Sequence, residues 1–333
     1  MIPTKGERTY RLRALTDLWT GDFAGKSDRL ITTGLLGSIR WWFEVLVRGL
    51  GGSACDPTDR RCGDRDHCVV CELFGCTGWA RKFRFEVLDE NGNIREARNN
   101  AETKISPQIE KDENDKFSLR FTPLRPIRDE EWALLDATLR LIADYGALGG
   151  KTVLKPTDEA DRTKEKHHQD YGLVEFIEPL EANIPITVVK EYVTQEKWQK
   201  LDHREFAWAS LQNFWCVNGR YLARQNSNQS TFNRVIERQE AKKQGQQLAH
   251  NNKASGWLAG SPQQRKERKE RKDSKKVFSF KDPARTFGFV KPGLIDFNTM
   301  KERLTNAWGK NGWDFLTGDK IKDQLFAGKE DRS

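Results

Sequence analysis

The feature that most constrains the fold of this chain is the order of its strand-like and helix-like segments. From about residue 7 to residue 178, apolar residues recur at every second position in some segments and at every third or fourth position in others. These segments follow the order strand, helix, strand, strand, helix, strand. That order predicts an α+β domain of the ferredoxin-like kind, the RRM-type split βαβ unit.

The individual elements of this first domain follow from their apolar spacing. Thr32 and Thr33 are predicted to cap the first helix, whose polar face carries Arg40, Glu44 and Arg48 as a compatible i,i+4 series. The strands are predicted at residues 8–14, 82–87, 117–121 and 173–177, and the helices at residues 33–48 and 129–142. We therefore expect a four-stranded sheet covered by two helices.

The second half of the chain repeats the pattern less clearly. Its elements are predicted as a strand at 184–190, a helix at 204–217, strands at 277–281 and 286–291, and a helix at 298–308. Cys216 is then a small core residue within an aromatic helix. Because Pro179 and Pro185 flank the expected boundary, the sequence predicts two ferredoxin-like domains in tandem, at 1–180 and 181–333.

The positive charge of the chain is concentrated in one segment. Between Asn218 and Lys276 there are fifteen Lys and Arg against five Asp and Glu, an excess larger than the net charge of +8 of the whole chain. At this length the segment is predicted to be a flexible basic insertion in the C-terminal domain, either partly helical, as residues 231–243 would permit, or disordered until it binds a partner. Such a stretch can bind a polyanion such as RNA, but a solvated loop or an anionic membrane surface would also explain it.

Composition and hydropathy exclude several classes of protein. With 36% hydrophobic and 32% charged residues, eleven Trp and eighteen Phe, the chain is apolar enough to fold and too polar for a membrane protein. No apolar run approaches the roughly 18 residues of a membrane helix, and Glu7 and Arg8 interrupt any signal-peptide core. We therefore expect a cytoplasmic protein with no membrane partner.

Five of the six cysteines fall within residues 55–76. In a cytoplasmic protein such a cluster indicates a metal site more than a set of disulfides. The predicted ligands of a structural zinc ion, held in a Cys-rich insertion at 53–77, are Cys55, Cys62, Cys68 and Cys71. Cys76 or His67 could replace one of them. Four thiolates leave no coordination position for water, so the site would not be catalytic.

Two further segments carry polar chemistry of low specificity. The glycine-rich stretch from Gly146 to Lys151 could approach a phosphate, although a simple turn after a helix explains the same glycines. His167 and His168 lie in a polar segment and could act as acid and base beside Tyr171, and Asp22 and Asp28 in the first loop are the other candidates. None forms a recognisable catalytic motif, so we expect no enzymatic activity.

Three sequence runs carry a resemblance to a known family. They are TGLLGSIRWWFE at 33–44, LVRGLGG at 46–52 and CELFGCTGWARKFRF at 71–85. They resemble the RAMP-superfamily head subunits of type III-B CRISPR Cmr effector complexes. The similarity is strong over the first ninety residues, moderate at 146–152, and limited in the C-terminal half to SKKVFSF and its neighbours.

The resemblance implies two ferredoxin-like domains and a non-catalytic role in a ribonucleoprotein for antiviral defence. The partners would be guide (CRISPR) RNA near its 3′ end, the paired target RNA and other RAMP subunits, with no small-molecule substrate. It also implies a set of RNA-binding residues: Lys26, Arg29, Thr33, Ser38, Arg40, Trp41, Trp79, Arg81, Lys82, Gly149, Gly150 and Lys151. The basic segment would add Arg265, Lys266, Arg268, Lys269, Arg271, Lys272, Lys275 and Lys276.

Alternatives remain for single residues and for the whole chain. Arg40 could form only a surface pair with Glu44, Trp42 is expected in the core, and Lys82 could be merely solvated. Two other functions compete: a RAMP endoribonuclease that trims guide RNA or cuts target RNA, and an adaptor that contacts only neighbouring subunits.

Overall fold

The computed structural model describes residues 6–20, 30–55, 62–63, 65–94, 116–149, 156–161, 168–178, 180, 184–201, 206–225, 230–237, 253–260 and 274–327. The chain divides into two compact units. The first comprises residues 1–151, 171–212 and 318–333, and the second comprises residues 152–170 and 213–317.

The first unit contains the predicted order of elements. These are β1 (Arg8–Ala14), α1 (Thr32–Gly49), α2 (Val69–Phe74), β2 (Phe83–Leu88), β3 (Lys116–Pro123), α3 (Asp129–Tyr145), β4 (Val174–Phe176) and α4 (Ile186–Val193), and the C-terminal α8 (Gly318–Phe326) joins this unit. Thr32 and Thr33 are the first two residues of α1, and the N-terminal cap residue is Ile31 instead of the predicted threonines.

The strands of the first unit form an antiparallel sheet in the order β2-β3-β1-β4. Along β1, buried residues alternate with exposed ones as the sequence predicts, because successive side chains of a strand point to opposite faces. The core is aromatic: Phe83 lies 5.5 Å from Phe74 and 5.0 Å from Phe121 between ring centroids. This core carries α1 and the cysteine segment that follows it.

The second unit repeats the strand order with different elements. They are β5 (Phe214–Asn218), α5 (Thr231–Val235), α6 (Lys253–Ala259), β6 (Val277–Lys281), β7 (Ala284–Phe289), α7 (Phe297–Trp308) and β8 (Leu316–Thr317). The antiparallel sheet has the order β6-β7-β5-β8, which corresponds to β2-β3-β1-β4 of the first unit. The prediction of two such α+β sheets is therefore confirmed.

Two predicted elements of the second half are wrong. The segment predicted as a strand at 184–190 contains helix α4, and the segment predicted as a helix at 204–217 ends in strand β5. Four consecutive residues of β5 are buried, from Phe214 to Val217, so both faces of this strand are covered and the alternation of a half-buried strand is lost. Cys216 is a buried residue as predicted, but it lies in this strand.

The basic insertion is also more integrated than predicted. Within 218–276, α5 and α6 contribute Phe232, Val235 and Leu258 to the core of the second unit. Deleting the whole segment would therefore unfold this unit. The compact units likewise differ from the predicted division at residue 180, because α3 contacts both α4 and α8. Among the described residues, no helix is long and apolar enough to cross a membrane.

Candidate metal centre

The four cysteines predicted as metal ligands converge in the first unit. The sulfur atoms of Cys55, Cys62, Cys68 and Cys71 all lie within 4.8 Å of one another, and all four residues are buried. A tetrahedral zinc ion with bonds of about 2.3 Å would hold its sulfurs roughly 3.8 Å apart. The cluster therefore matches a single tetrahedral ion, and its sulfurs lie too close together for a multi-iron cluster.

Local backbone structure brings the ligands together. Cys68 is the N-terminal cap residue of α2 and Cys71 lies in its first turn, so the two sulfurs arrive from one side. The amide of Cys55 donates to the sulfur of Cys68 at 3.4 Å, and the amide of Cys68 donates to the sulfur of Cys62 at 3.3 Å. Such N–H···S bonds orient cysteine sulfurs for metal binding.

The two alternative ligands take other partners. The thiol of Cys76 donates to the carbonyl oxygen of Gly63 at 3.6 Å, and Nε2 of His67 lies 2.7 Å from a carboxylate oxygen of Glu72. The structure thus selects the four predicted cysteines. Without a metal, hydrogen bonds from neighbouring thiols lower the pKa of Cys68, and the same network raises the pKa of Cys71.

Arg40 points toward this cluster. Its Nη2 lies 3.4 Å from the sulfur of Cys71 and 3.6 Å from that of Cys55, and its Nη1 donates to the carbonyl oxygen of Gly75 at 2.8 Å. Its Nε donates to a carboxylate oxygen of Glu44 at 3.1 Å. The Arg40–Glu44 ion pair, which the sequence offered as the alternative to phosphate binding, is therefore present. The guanidinium is engaged by the protein at all three nitrogens.

The polar face predicted for α1 is buried. Glu44 is only 2% exposed and Arg48 8% exposed. Arg48 donates to the carbonyl oxygens of Ala54, next to the first ligand, and of Ala209. Burial raises the pKa of Glu44 to about 7, although Arg48 and Arg40 act to lower it. This face of α1 therefore holds the cysteine segment and does not face solvent.

Lys82 differs most from its prediction as a solvent-facing or RNA-facing residue. It is 5% exposed, and Nζ contacts Glu72 at 2.6 Å and Glu131 at 2.8 Å. The hydroxyl of Tyr192 also donates to Glu131 at 2.8 Å. The sequence gives little sign of this network, because its members come from α2, the start of β2, α3 and α4. It ties the cysteine segment to the rest of the unit.

Trp79 lies beside the cluster, and its two ring contacts are with protein groups. The His67 ring lies 4.6 Å from the Trp79 ring, and the Arg125 guanidinium lies 4.3 Å from its centroid. The tryptophan Nε1 donates to the carbonyl oxygen of Glu72 at 3.3 Å. Trp79 thus supports Arg125, a cation that the sequence patterns did not single out. Arg81 is half-buried at the same end of β2.

The second turn of α1 contacts the glycine-rich turn. The amide of Gly149 donates to the hydroxyl of Ser38 at 3.1 Å, which joins two segments predicted separately as phosphate contacts. Thr33 is exposed, and the first turn of α1 contains no acidic residue. Trp41 is half-buried and packs edge-on against Trp42, which is 3% exposed and belongs to the core as predicted.

Other predicted residues fall outside the described part of the chain. They are Asp22, Lys26, Asp28, Arg29, Gly150, Lys151, His167, Arg265, Lys266, Arg268, Lys269, Arg271 and Lys272. Lys275 lies over the ring of Phe232 at 5.5 Å, and Lys276 is buried at 2% exposure with Nζ 5.2 Å from the centre of the Trp257 ring. The ends of the basic segment are therefore packed into the second unit.

His168 lies in a half-buried segment of the second unit. The neighbouring Asp170 accepts hydrogen bonds from the backbone amides of Lys281 at 2.7 Å and Asp282 at 3.0 Å. Burial raises the pKa of Asp170 to about 6, against the effect of those two amides. Asp170 thus holds the turn between β6 and β7.

Sequence comparison identifies the region that holds the cysteine cluster. The family model described as RAMP superfamily matches residues 11–154, which include α1, all four cysteines and the Ser38–Gly149 contact. Over residues 11–154 the chain is similar to the RAMP superfamily. The predicted resemblance to this superfamily is confirmed over that range. A search of curated proteins gives no match to the chain.

Two solved structures are similar to the chain that contains this RAMP region. The crystal structure of apo Cmr1 from Pyrococcus furiosus aligns with 94% of this chain and 99% of its own, at 10% identity and a TM-score of 0.44. A chain from the cryo-EM structure of type III-B Cmr-beta, bound to cognate target RNA and AMPPNP in the presence of ssDNA, aligns with 90% of this chain and 98% of its own, at 11% identity and a TM-score of 0.48.

Proposed function

We propose that this chain is a non-catalytic RNA-binding head subunit of a type III-B CRISPR ribonucleoprotein effector in the prokaryotic cytoplasm. It would bind near the 3′ end of the guide RNA and the paired target RNA, beside other RAMP subunits. The proposal rests on the motifs at 33–44, 46–52 and 71–85, which lie within the RAMP region. Its role would be antiviral defence through RNA binding. The target sequence would be recognised by base pairing with the guide RNA and not by this chain.

The observation that carries the RNA-binding proposal is the N-terminal end of α1. The N-terminal end of a helix has a partial positive charge, and the first turn of α1 has no carboxylate to neutralise it. Ser38, in the second turn, accepts a hydrogen bond from the amide of Gly149 and so holds the glycine-rich turn against the same helix. Thr33, which is exposed at the N-terminal end, would contact phosphates, which position an RNA strand without reading its sequence.

A second cationic surface lies at the start of β2. Arg125 stacks on Trp79 and donates to the carbonyl oxygen of Ala80, so its guanidinium has a fixed orientation. Stacked arginines present their remaining N–H groups edge-on, which suits a phosphate. We include Arg125 and Arg81 among the proposed contacts. Arg40 and Lys82 are excluded because their charged groups are bound within the protein.

The proposed cofactor is one structural zinc ion held by Cys55, Cys62, Cys68 and Cys71. The buried set of four sulfurs within 4.8 Å supports it. Replacing Cys68 and Cys71 by Ser should release about one zinc per chain and lower the unfolding temperature of the first unit. Metal analysis of the purified wild-type protein tests the cofactor directly, and a metal-free wild type would contradict it.

The test of function is crosslinking of the chain to guide RNA and target RNA in the reconstituted complex. We expect crosslinks to both RNAs, and Arg125→Gln should weaken them. Arg13→Gln is a matched control, because Arg13 is an exposed arginine paired with Glu175 on the sheet. Crosslinks to neighbouring proteins but not to RNA would favour the adaptor function instead.

Incubation of the purified chain with repeat RNA, with and without a divalent metal, separates binding from catalysis. We expect intact RNA under both conditions. Cleavage that is abolished by replacing Asp22, Asp28 or His168 would establish the endoribonuclease alternative and refute the non-catalytic proposal.

A further inference from the structure

Arg40 is the charged side chain that α1 directs into the cysteine cluster. The helix presents Arg40, Glu44 and Arg48 one turn apart, and all three contact one another or the cysteine segment. Nη2 of Arg40 reaches the sulfurs of Cys55 and Cys71 from outside the tetrahedron. This geometry is that of a side chain that donates hydrogen bonds to the cysteine sulfurs, and not that of a surface residue.

The charge of the cluster gives this contact a physical role. Four thiolates and one divalent cation carry a net charge of minus two, and a buried net charge is unfavourable unless it is paired or hydrogen-bonded. The Arg40 side chain is 21% exposed, so water screens it little. Glu44 and the Gly75 carbonyl oxygen hold the guanidinium in place, which leaves its Nη2 directed at the sulfurs.

We propose that Arg40 is a positioning residue of the metal centre, whose guanidinium stabilises the four-thiolate form of a bound divalent cation. This inference rests on the proposed zinc site. It assigns the arginine of the RWWFE run to the metal centre instead of to an RNA phosphate. The residue would act through Cys55 and Cys71 and would not contact the ion.

The test compares the full-length wild type with Arg40→Gln and Arg40→Lys. Zinc affinity is measured by competition with a chromogenic chelator. We expect Arg40→Gln to lower the affinity about tenfold, as losses of groups that hydrogen-bond to metal ligands do, and Arg40→Lys to lower it less because the charge is kept. Arg84→Gln serves as the control, since Arg84 is 55% exposed and pairs with Glu86.

A second readout separates this role from a purely structural one. With Co²⁺ in place of zinc, the sulfur-to-cobalt charge-transfer band reports the electron density on the thiolates. Loss of the N–H···S bonds in Arg40→Gln should move this band to longer wavelength while the tetrahedral spectrum is retained. An unshifted band with unchanged zinc affinity would overturn the inference and leave the metal site intact. A wild-type protein that binds neither Zn²⁺ nor Co²⁺ would overturn both the role of Arg40 and the proposed zinc site.

Discussion

Lys82 is the residue whose replacement tests the folded structure most sharply. Its ammonium group lies between Glu72 and Glu131, and Glu131 is 1% exposed. Burial acts to raise the pKa of Glu72, but Lys82 and His67 outweigh it, so the pKa is lowered. Lys82→Met keeps the volume of the side chain and removes the ammonium group that the two carboxylates share.

The magnitude follows from the burial of this network. Removing one partner of a buried ion pair costs about 3 to 5 kcal/mol, whereas exposed pairs contribute about 0 to 1 kcal/mol. In a unit of about 200 residues, this corresponds to a fall of roughly 10 °C in the unfolding temperature. Arg13→Gln, which breaks an exposed pair with Glu175, should change it by no more than about 3 °C.

The assay is calorimetry of the zinc-saturated protein, in which the transition of the first unit is followed for each variant. The triple variant Lys82→Met, Glu72→Gln, Glu131→Gln should recover part of the loss, because a site without charges leaves none unpaired. A Lys82→Met transition within 2 °C of the wild type, on the order of 1 kcal/mol or less, would refute the buried network.

Three further variants have defined expectations. Phe43→Ala should destabilise the first unit by about 3 to 5 kcal/mol in urea unfolding, because Phe43 is fully buried 5.1 Å from the ring of Phe74. Gly149→Ala should lower stability by at least about 1 kcal/mol, since Gly149 has φ +113° and an added Cβ would lie 2.9 Å from the Trp19 carbonyl oxygen; Gly92→Ala, at φ +79° with open space around it, should have the smaller effect. Asp170 has a raised pKa, so its contribution to stability is complete below pH 3.8 and is lost as the pH rises through about 6. The charged neighbours of Asp170 are Lys281 and Asp282. Asp170→Asn should abolish this fall in stability, which amounts to at most about 3 kcal/mol. An unfolding free energy with the same pH dependence in the variant and the wild type would contradict the prediction.

The first unit could be predicted from sequence because its strands alternate cleanly. Residues of β1 and β2 point alternately to the core and to solvent, and α1 has a continuous apolar stripe. The convergence of Cys55, Cys62, Cys68 and Cys71 could also be predicted, since cysteine chemistry is specific and their spacing is short. The strand alternation, the helical stripe and the cysteine spacing are all local patterns, and each is retained in the folded structure.

The second unit was harder to predict because burial removes the pattern on which prediction depends. Residues Phe214 to Val217 are all buried, so β5 has the composition of an aromatic helix as much as that of a strand. The basic segment between β5 and β6 also has two short helices in the core, which its overall charge conceals. Composition alone could not separate these two buried helices from the remainder of the basic segment.

The surroundings of the site depended on contacts between distant residues. Arg40 and Lys82 look like surface cations in sequence, yet one meets the sulfurs of Cys55 and Cys71 and the other meets Glu131, 49 positions away. Arg125 becomes notable only because Trp79 lies beneath it. Tertiary structure decides which cations are available to a phosphate.

Salt dependence of single-stranded RNA binding by the purified full-length chain tests the central claim most directly. If the protein holds the RNA through phosphates, the logarithm of the dissociation constant should rise linearly with the logarithm of salt concentration. Three phosphate contacts would give a slope of about 2, and the RNA should be recovered intact. A dissociation constant that is the same at low and high salt, or RNA that the protein has cut, would contradict the account.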